Sequence, residues 1–103
     1  MGRKKELMKH KNESLDLAAR RLKVLGHATR LLILEALRSG EKSVTELEEL
    51  VGGSQSNISQ HLRLMRDHDI LTARKNGNHV YYSVSDRGVF GIVDAVKKVF
   101  CRT

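Results

Sequence analysis

A mostly α domain (α+β by class) carrying one β-hairpin is the fold class that three features of this chain predict. Apolar residues recur at helical spacing through most of its length. Residues 43–66 read as two helices joined by a tight Gly-containing turn. After Asp69 the period changes to that of strands, with Asn76-Gly77, a hairpin-turn signal, between two β-rich runs. The expected order is α-α-α-α-β-β-α, a winged helix-turn-helix.

Each element has its own warrant. Leu15, Ala18, Ala19, Leu22 and Leu25 form a helical stripe that predicts a first helix starting near Asn12, with Gly26 as its stop. The second helix is expected from Ala28 to Arg38. Leu31, Leu32, Ile33, Leu34 and Leu37 make it apolar nearly all round, which predicts a central position. Gly40 ends it. Ser43-Val44-Thr45-Glu46 fits a capping box, opening a short helix to about Val51 that Gly52-Gly53 breaks. Ser54 then caps the next helix, over residues 54–66.

Ile70 to Arg74 and His79 to Val84 are expected strands, with Lys75-Asn76-Gly77-Asn78 between them. Tyr81 and Tyr82 alternate along the second strand, so one should pack inward and the other face out. The last helix is expected from Asp86 to Phe100, capped by Ser85, with Val89, Ile92, Val93, Val96, Val99 and Phe100 as its stripe. The chain has no proline, so nothing forces an interior break.

Size and charge bound the function. At 103 residues this is one small domain with a limited core, so a second copy would help to cover it. The 40% hydrophobic and 30% charged content is ordinary for a soluble folded protein. No apolar run approaches the roughly 18 residues of a membrane span, so no membrane segment is expected. No apolar run follows the basic N-terminus either, so no signal peptide is expected. A single cysteine excludes an internal disulfide framework and fits a reducing cytoplasm.

The net charge of +7 favours a polyanionic partner, nucleic acid or an acidic membrane. Arg3, Lys4, Lys5, Lys9 and Lys11 stand against Glu6 alone, more than half of that net charge. Residues 1–12 are therefore expected as a basic, flexible arm ahead of a domain at 13–103. The arm reads equally as a phosphate-seeking tail and as a solubilising end.

Residues 54–66, SQSNISQHLRLMR, carry the most functional information. Ile58, Leu62 and Met65 form an apolar stripe for packing. Gln55, Ser56, Ser59, Gln60 and Arg63 form a second, roughly opposite face of amides, hydroxyls and one guanidinium, without a carboxylate. These groups suit base edges in a DNA major groove: Gln to adenine, Arg to guanine, Ser to either. A polar surface helix is the plainer alternative, although such a face more often mixes Glu with Lys. His61 falls on the packing side and reads as a satisfied structural histidine.

The order and motifs together resemble the ArsR family of winged-helix transcriptional regulators. The matching stretches are LGHATRLLILEAL (25–37), SVTELEELVGGSQSNISQHLRLMRDHDILTARKNGNHVYYSV (43–84) and the terminal helix. The resemblance covers about residues 15–101, and SQSNISQHL is its specific motif. Ala28 departs from the proline many members have, which should affect only how the second helix begins.

The resemblance implies that residues 54–66 are a recognition helix. Gln55, Ser56, Ser59 and Gln60 would touch base edges, Arg63 a base or phosphate, and Ser54 with the helix N-terminus a phosphate. In the wing, Arg74, Lys75, Asn76, Asn78 and His79 would contact the backbone or minor groove, the alternative for each being a solvated turn. A homodimer pairing through the first and last helices would bind an inverted-repeat operator in double-stranded DNA and repress.

The signal is less legible. Where arsenic- and cadmium-type members carry a Cys-x-Cys pair, this chain has Glu48 and Leu50. Where zinc- and nickel-type members place ligands on the last helix, only Asp86 matches; Gly88, Val99 and Arg102 hold the other positions. No metal and no cofactor are expected. Cys101, in VFCRT, resembles the thiol-based branch that responds to oxidants or reactive sulfur, but Glu35 stands where that branch has its second cysteine. Cys101 is thus an inert terminal residue, a one-cysteine redox sensor, or the remnant of a pair whose resolving thiol is absent. A release signal is either redox or reactive sulfur, or another inducer.

Other function classes fare worse. No phosphate-binding Gly loop, catalytic triad or paired carboxylates support an enzyme. A protein-interaction module remains as the alternative, using the hairpin or the third helix with Glu46, Glu48 and Glu49 as a negative patch.

Overall fold

The computed structural model describes the backbone of residues 2–101 and the side chains of residues 13–101. The elements run α1 (Gly2–Leu25), α2 (Ala28–Leu37), β1 (Lys42–Ser43), α3 (Val44–Val51), α4 (Gln55–Asp67), β2 (Leu71–Asn76), β3 (His79–Val84) and α5 (Val89–Phe100). This is the expected winged helix-turn-helix with one strand added.

Four boundaries differ from the sequence expectation. First, α1 begins at Gly2, not near Asn12. Arg3 to Lys11 contain no proline or glycine, and their Lys, Glu, Leu and Met are good helix formers. The side chains of the basic arm, residues 1–12, lie outside the described residues. Second, β1 intervenes between α2 and α3. It pairs antiparallel with β3, Lys42 opposite Tyr82 and Ser43 opposite Tyr81, giving a sheet of order β1-β3-β2. Two residues are too short to leave a period, and the strand exists only because β3 is beside it.

Third, β2 runs on to Asn76, so the link expected at 75–78 shortens to Gly77-Asn78. Asn76 pairs with His79, and Gly77 takes φ 64 as the first central residue, the place glycine has in a type II′ turn. Fourth, α5 starts at Val89 instead of Asp86. The Asp86 carboxylate accepts from the Gly88 amide at 2.7 Å, an Asx turn that holds residues 86–88 out of the helix.

The capping box of α3 is complete. Ser43 Oγ accepts from the Glu46 amide at 3.2 Å, and the Glu46 carboxylate accepts from the Ser43 amide at 3.0 Å. Ser43, through its backbone amide first and its hydroxyl second, acts on that carboxylate and holds the Glu46 carboxyl below its ordinary range.

One apolar core is shared by all the longer elements. Ile33, Leu34 and Leu37 enter from α2, Leu47 from α3, Ile58, Leu62 and Met65 from α4, Leu71 from β2 and Val93 from α5. The expected central position of α2 is found, since it packs against α1, α3, α4, α5 and β3, although Leu32 on its outer side stays exposed. Among the described residues of α1, Val24 and Leu25 reach this core. The radius of gyration, 16.3 Å, exceeds the roughly 13 Å of a compact domain of about 100 residues. The long α1, exposed over residues 13–23, accounts for the excess.

Candidate nucleic-acid interface

The α3–turn–α4 unit presents the polar face of α4. Gly52 and Gly53 take φ 84 and 92, a left-handed backbone that only glycine adopts freely, and turn the chain between the helices. Ser54 then caps α4, its Oγ accepting from the Asn57 amide at 3.2 Å. The hydroxyl proton of Ser54 stays available to a phosphate, as do the Gln55 and Ser56 amides, which have no acceptor one turn back.

Burial splits α4 as the spacing predicts. Ile58, Leu62 and Met65 are buried, while Gln55, Ser56, Ser59, Gln60 and Arg63 are exposed. Burying three such side chains stabilises the docked helix by about 1.5–3 kcal/mol each. The outward face is therefore carried on a firmly anchored element, a condition for reading bases by geometry.

One residue on this surface escaped the sequence reasoning. Arg66, with Ser59, Arg63, Asp67 and Tyr82, lines a groove of about 400 Å³ between α4 and β3. Arg63 and Arg66 are i and i+3, neighbours on the helix surface, and set two guanidinium groups along the edge of the reading face. The spacing from Arg63 was the available signal.

The wing projects from the same domain, and residues 72–79 are exposed. Lys75, Asn76, Asn78 and His79 lie near its tip, and His79 stands 6.3 Å from the Tyr81 ring. Arg74 is placed differently. Its Nε and Nη2 donate to the two Glu41 oxygens at 3.1 and 2.5 Å, and its guanidinium lies 5.2 Å from the Tyr81 ring centroid. The Arg74 hydrogen bonds hold the Glu41 carboxyl below its ordinary range and raise Arg74 in turn. Of the wing cations, Arg74 must part from Glu41 before it offers its full charge to a phosphate. Tyr82 packs against the core, and Tyr81 serves Arg74 on the other side of the strand.

The region around Cys101 shows what replaces a thiol pair. Cys101 is exposed and follows the last turn of α5, its amide donating to the Lys97 carbonyl at 2.9 Å. Glu35, on α2, pairs with Lys97 at 3.5 Å and with Arg38 at 2.7 Å, and Arg38 reaches Asp94 of α5 at 2.8 Å. The Arg38 hydrogen bond is the main cause that holds the Glu35 carboxyl below its ordinary range. Glu35 thus joins α2 to α5 by charge. Among the described residues, no group of three or more His, Cys, Asp or Glu side chains is arranged to hold a metal ion. Arg102 lies outside the described residues. In the acidic third helix, Glu46 is engaged in its capping box, which leaves less of a free negative patch for a basic partner.

With this geometry in place, comparison with known proteins is decisive. Residues 27–73 match the model of the bacterial regulatory protein, arsR family. A biofilm growth-associated repressor from Xylella fastidiosa is 33% identical over 98 residues, spanning 95% of this chain and 82% of that protein. The chain belongs to the ArsR family. It is a DNA-binding transcriptional regulator with a winged helix-turn-helix. The crystal structure of NolR from Sinorhizobium fredii superposes with a TM-score of 0.78 at 34% identity, covering 91% of this chain and 94% of that one. A homodimeric winged helix-turn-helix DNA-binding domain from Mycobacterium bovis, solved in solution, gives 0.76 at 29% identity over 86% and 82% of the two chains. No described helix of this ArsR-family chain is long and apolar enough to cross a membrane.

Proposed function

We propose that this ArsR-family protein is a repressor that binds an inverted-repeat operator as a homodimer, each α4 reading one half-site. The observation that carries this is the exposed, carboxylate-free face of α4, held in place by the buried Ile58, Leu62 and Met65. Gln55, Ser56, Ser59 and Gln60 read base edges, Arg63 a base or phosphate, and Ser54 with the α4 N-terminus a phosphate. Lys75, Asn76, Asn78 and His79 of the wing, with Arg74 once released from Glu41, attach to the backbone or minor groove. Arg66 extends the phosphate contacts along α4.

The dimer forms through α1 and α5. Leu15, Leu17 and Leu22 of α1 and Ile92, Val99 and Phe100 of α5 are large apolar side chains left exposed by this chain. The homodimeric relative supports a homodimer, and the Xylella fastidiosa relative supports repression. Binding to a chromosomal operator places the protein in the bacterial cytoplasm.

For the input we assign the Cys101 thiol, which is exposed one turn after Lys97, the residue that pairs with Glu35 of α2. Oxidation or sulfuration there would favour the dimer geometry that fits DNA poorly.

Competition binding tests the output. Promoter duplex bound by the protein is challenged with random duplex, first with wild type and then with Ser56→Ala. Preference for the promoter that weakens in the variant supports base reading by α4. Equal loss on both duplexes contradicts it. Peroxide or polysulfide that releases wild type but not Cys101→Ser supports the thiol as input, and release of both proteins alike removes it.

A further inference from the structure

We propose that His61, Arg30 and His27 form a proton-sensitive clamp that sets the position of the recognition helix; this rests on the reading of α4 as the base-reading element. His61 lies midway along α4 on its packing side. Its Nδ1 accepts a hydrogen bond from Arg30 Nε at 3.1 Å. Arg30, on α2, also donates from Nη1 to the Val24 carbonyl of α1 at 2.8 Å. One guanidinium thereby ties α1, α2 and α4 together. His27, just before α2, packs on His61 with ring centroids 4.6 Å apart. Its Nδ1 accepts from the Thr29 amide at 3.1 Å and caps α2.

Both imidazoles must be neutral for this arrangement to exist. A guanidinium offers only donors, so His61 Nδ1 is bare and the ring proton sits on Nε2. A backbone amide is likewise a donor, so His27 Nδ1 is bare as well. A proton arriving at either Nδ1 sets N–H against N–H and breaks the bond that the bare nitrogen accepted.

The surroundings oppose that proton. Burial, then His27, then Arg30 hold His61 below its ordinary value of 6.5. The groove beside Arg30 is lined by Arg20 and Lys23 of α1 and by His68 after α4, with Val24 and Leu64 and no carboxylate. The sign of the pH effect follows. The unfolded chain takes up this proton near 6.5 and the folded chain only at lower pH. In between, the unfolded state binds more protons, so the stability of the clamped state falls as pH falls through that interval. Above it the clamp is intact.

This sign runs against the general electrostatics of DNA binding. Acid also raises the net positive charge of a protein surface in general, and added positive charge strengthens attraction to phosphates. A loss of operator affinity on acidification therefore isolates the clamp.

The test measures operator and random-duplex affinity at about pH 7.5 and about pH 5.5, on either side of the ordinary histidine pKa, for wild type, His61→Asn and His61→Ala. Asparagine places Oδ1 where Nδ1 stands, so it accepts from Arg30 and does not titrate. Wild type is expected to lose operator affinity by about two- to fourfold at the lower pH, less than an unshifted histidine would give, because the folded chain takes up the proton only below 6.5. His61→Asn keeps its affinity across the range, and His61→Ala binds the operator weakly at both. Random-duplex binding does not fall with acid in any of the three. An Asn variant that follows the wild-type profile overturns the clamp. So does an Ala variant that matches wild type at the higher pH; if that variant does not fold, the Asn comparison alone decides. A wild-type protein that never prefers operator to random duplex fails differently, because it removes the base-reading assignment on which the clamp rests.

Discussion

Helices α4 and α1 both carry apolar residues at helical spacing, but those of α4 are covered within the chain, whereas among the described residues of α1 only Val24 and Leu25 at its end are. Ile58, Leu62 and Met65 of α4 are 1%, 0% and 0% exposed, whereas Leu15, Leu17 and Leu22 of α1 keep 64%, 44% and 54% of their surface in water. The stripe on α4 is a fastener within the domain. It leaves the opposite face free and rigid for reading. The exposed leucines of α1, with Ile92, Val99 and Phe100 of α5, form the surface proposed above to pair in the dimer. On that proposal, apolar residues at helical spacing serve folding in one helix and association in the other. What separates them is whether other elements of the same chain lie against the stripe.

The largest expected effect comes from breaking the fastener. Leu62→Ala removes a fully buried side chain and should cost about 2–5 kcal/mol of unfolding free energy, read by denaturant titration. Loosening α4 should take operator binding with it. Next comes the opposite face of the same helix. Gln60→Ala should cost about 1–3 kcal/mol in operator affinity with little change in unfolding, and random-duplex binding should hold.

The interface stripe should behave in the reverse way. Leu22→Glu puts a charge on an exposed apolar face, so the monomer fold survives. The dimer should dissociate at least about tenfold more readily in sedimentation experiments, about 1.4 kcal/mol or more. Unchanged association would mean that α1 is not the interface. The smallest effect is expected in the wing. Glu41→Gln frees Arg74, and affinity for any duplex should rise slightly, most visibly at low salt, where charges are least screened.

Local chemistry made much of this architecture legible in advance. The capping box at Ser43 and Glu46, the Gly52-Gly53 turn and the Ser54 cap sit next to one another in sequence, and together they define both helices of the reading unit. The two faces of α4 follow from period alone. Features that depend on distant parts of the chain were not legible. Strand β1 exists through β3, about forty residues on by sequence. Glu41 reaches Arg74 across 33 positions and Arg30 reaches His61 across 31. No spacing rule connects such pairs. The hairpin itself was legible, but its link is shorter than the four residues expected at 75–78. Lys75 and Asn76 have the composition of a turn, yet they pair with Val80 and His79 across the ladder, which local preference does not register. At the other end, the Asp86 side chain competes for the Gly88 amide and delays α5 by three residues, a contest that periodicity does not register.

Selection of binding sites from a random duplex pool, run with wild type and Leu22→Glu in parallel, tests the central claim most directly. The wild type should enrich an inverted repeat with half-sites about one helical turn apart. The Leu22→Glu protein should enrich only a single half-site, and more weakly. A wild-type pool without dyad symmetry, or one identical to that of Leu22→Glu, would contradict the pairing of an α4 reading face with an α1–α5 dimer.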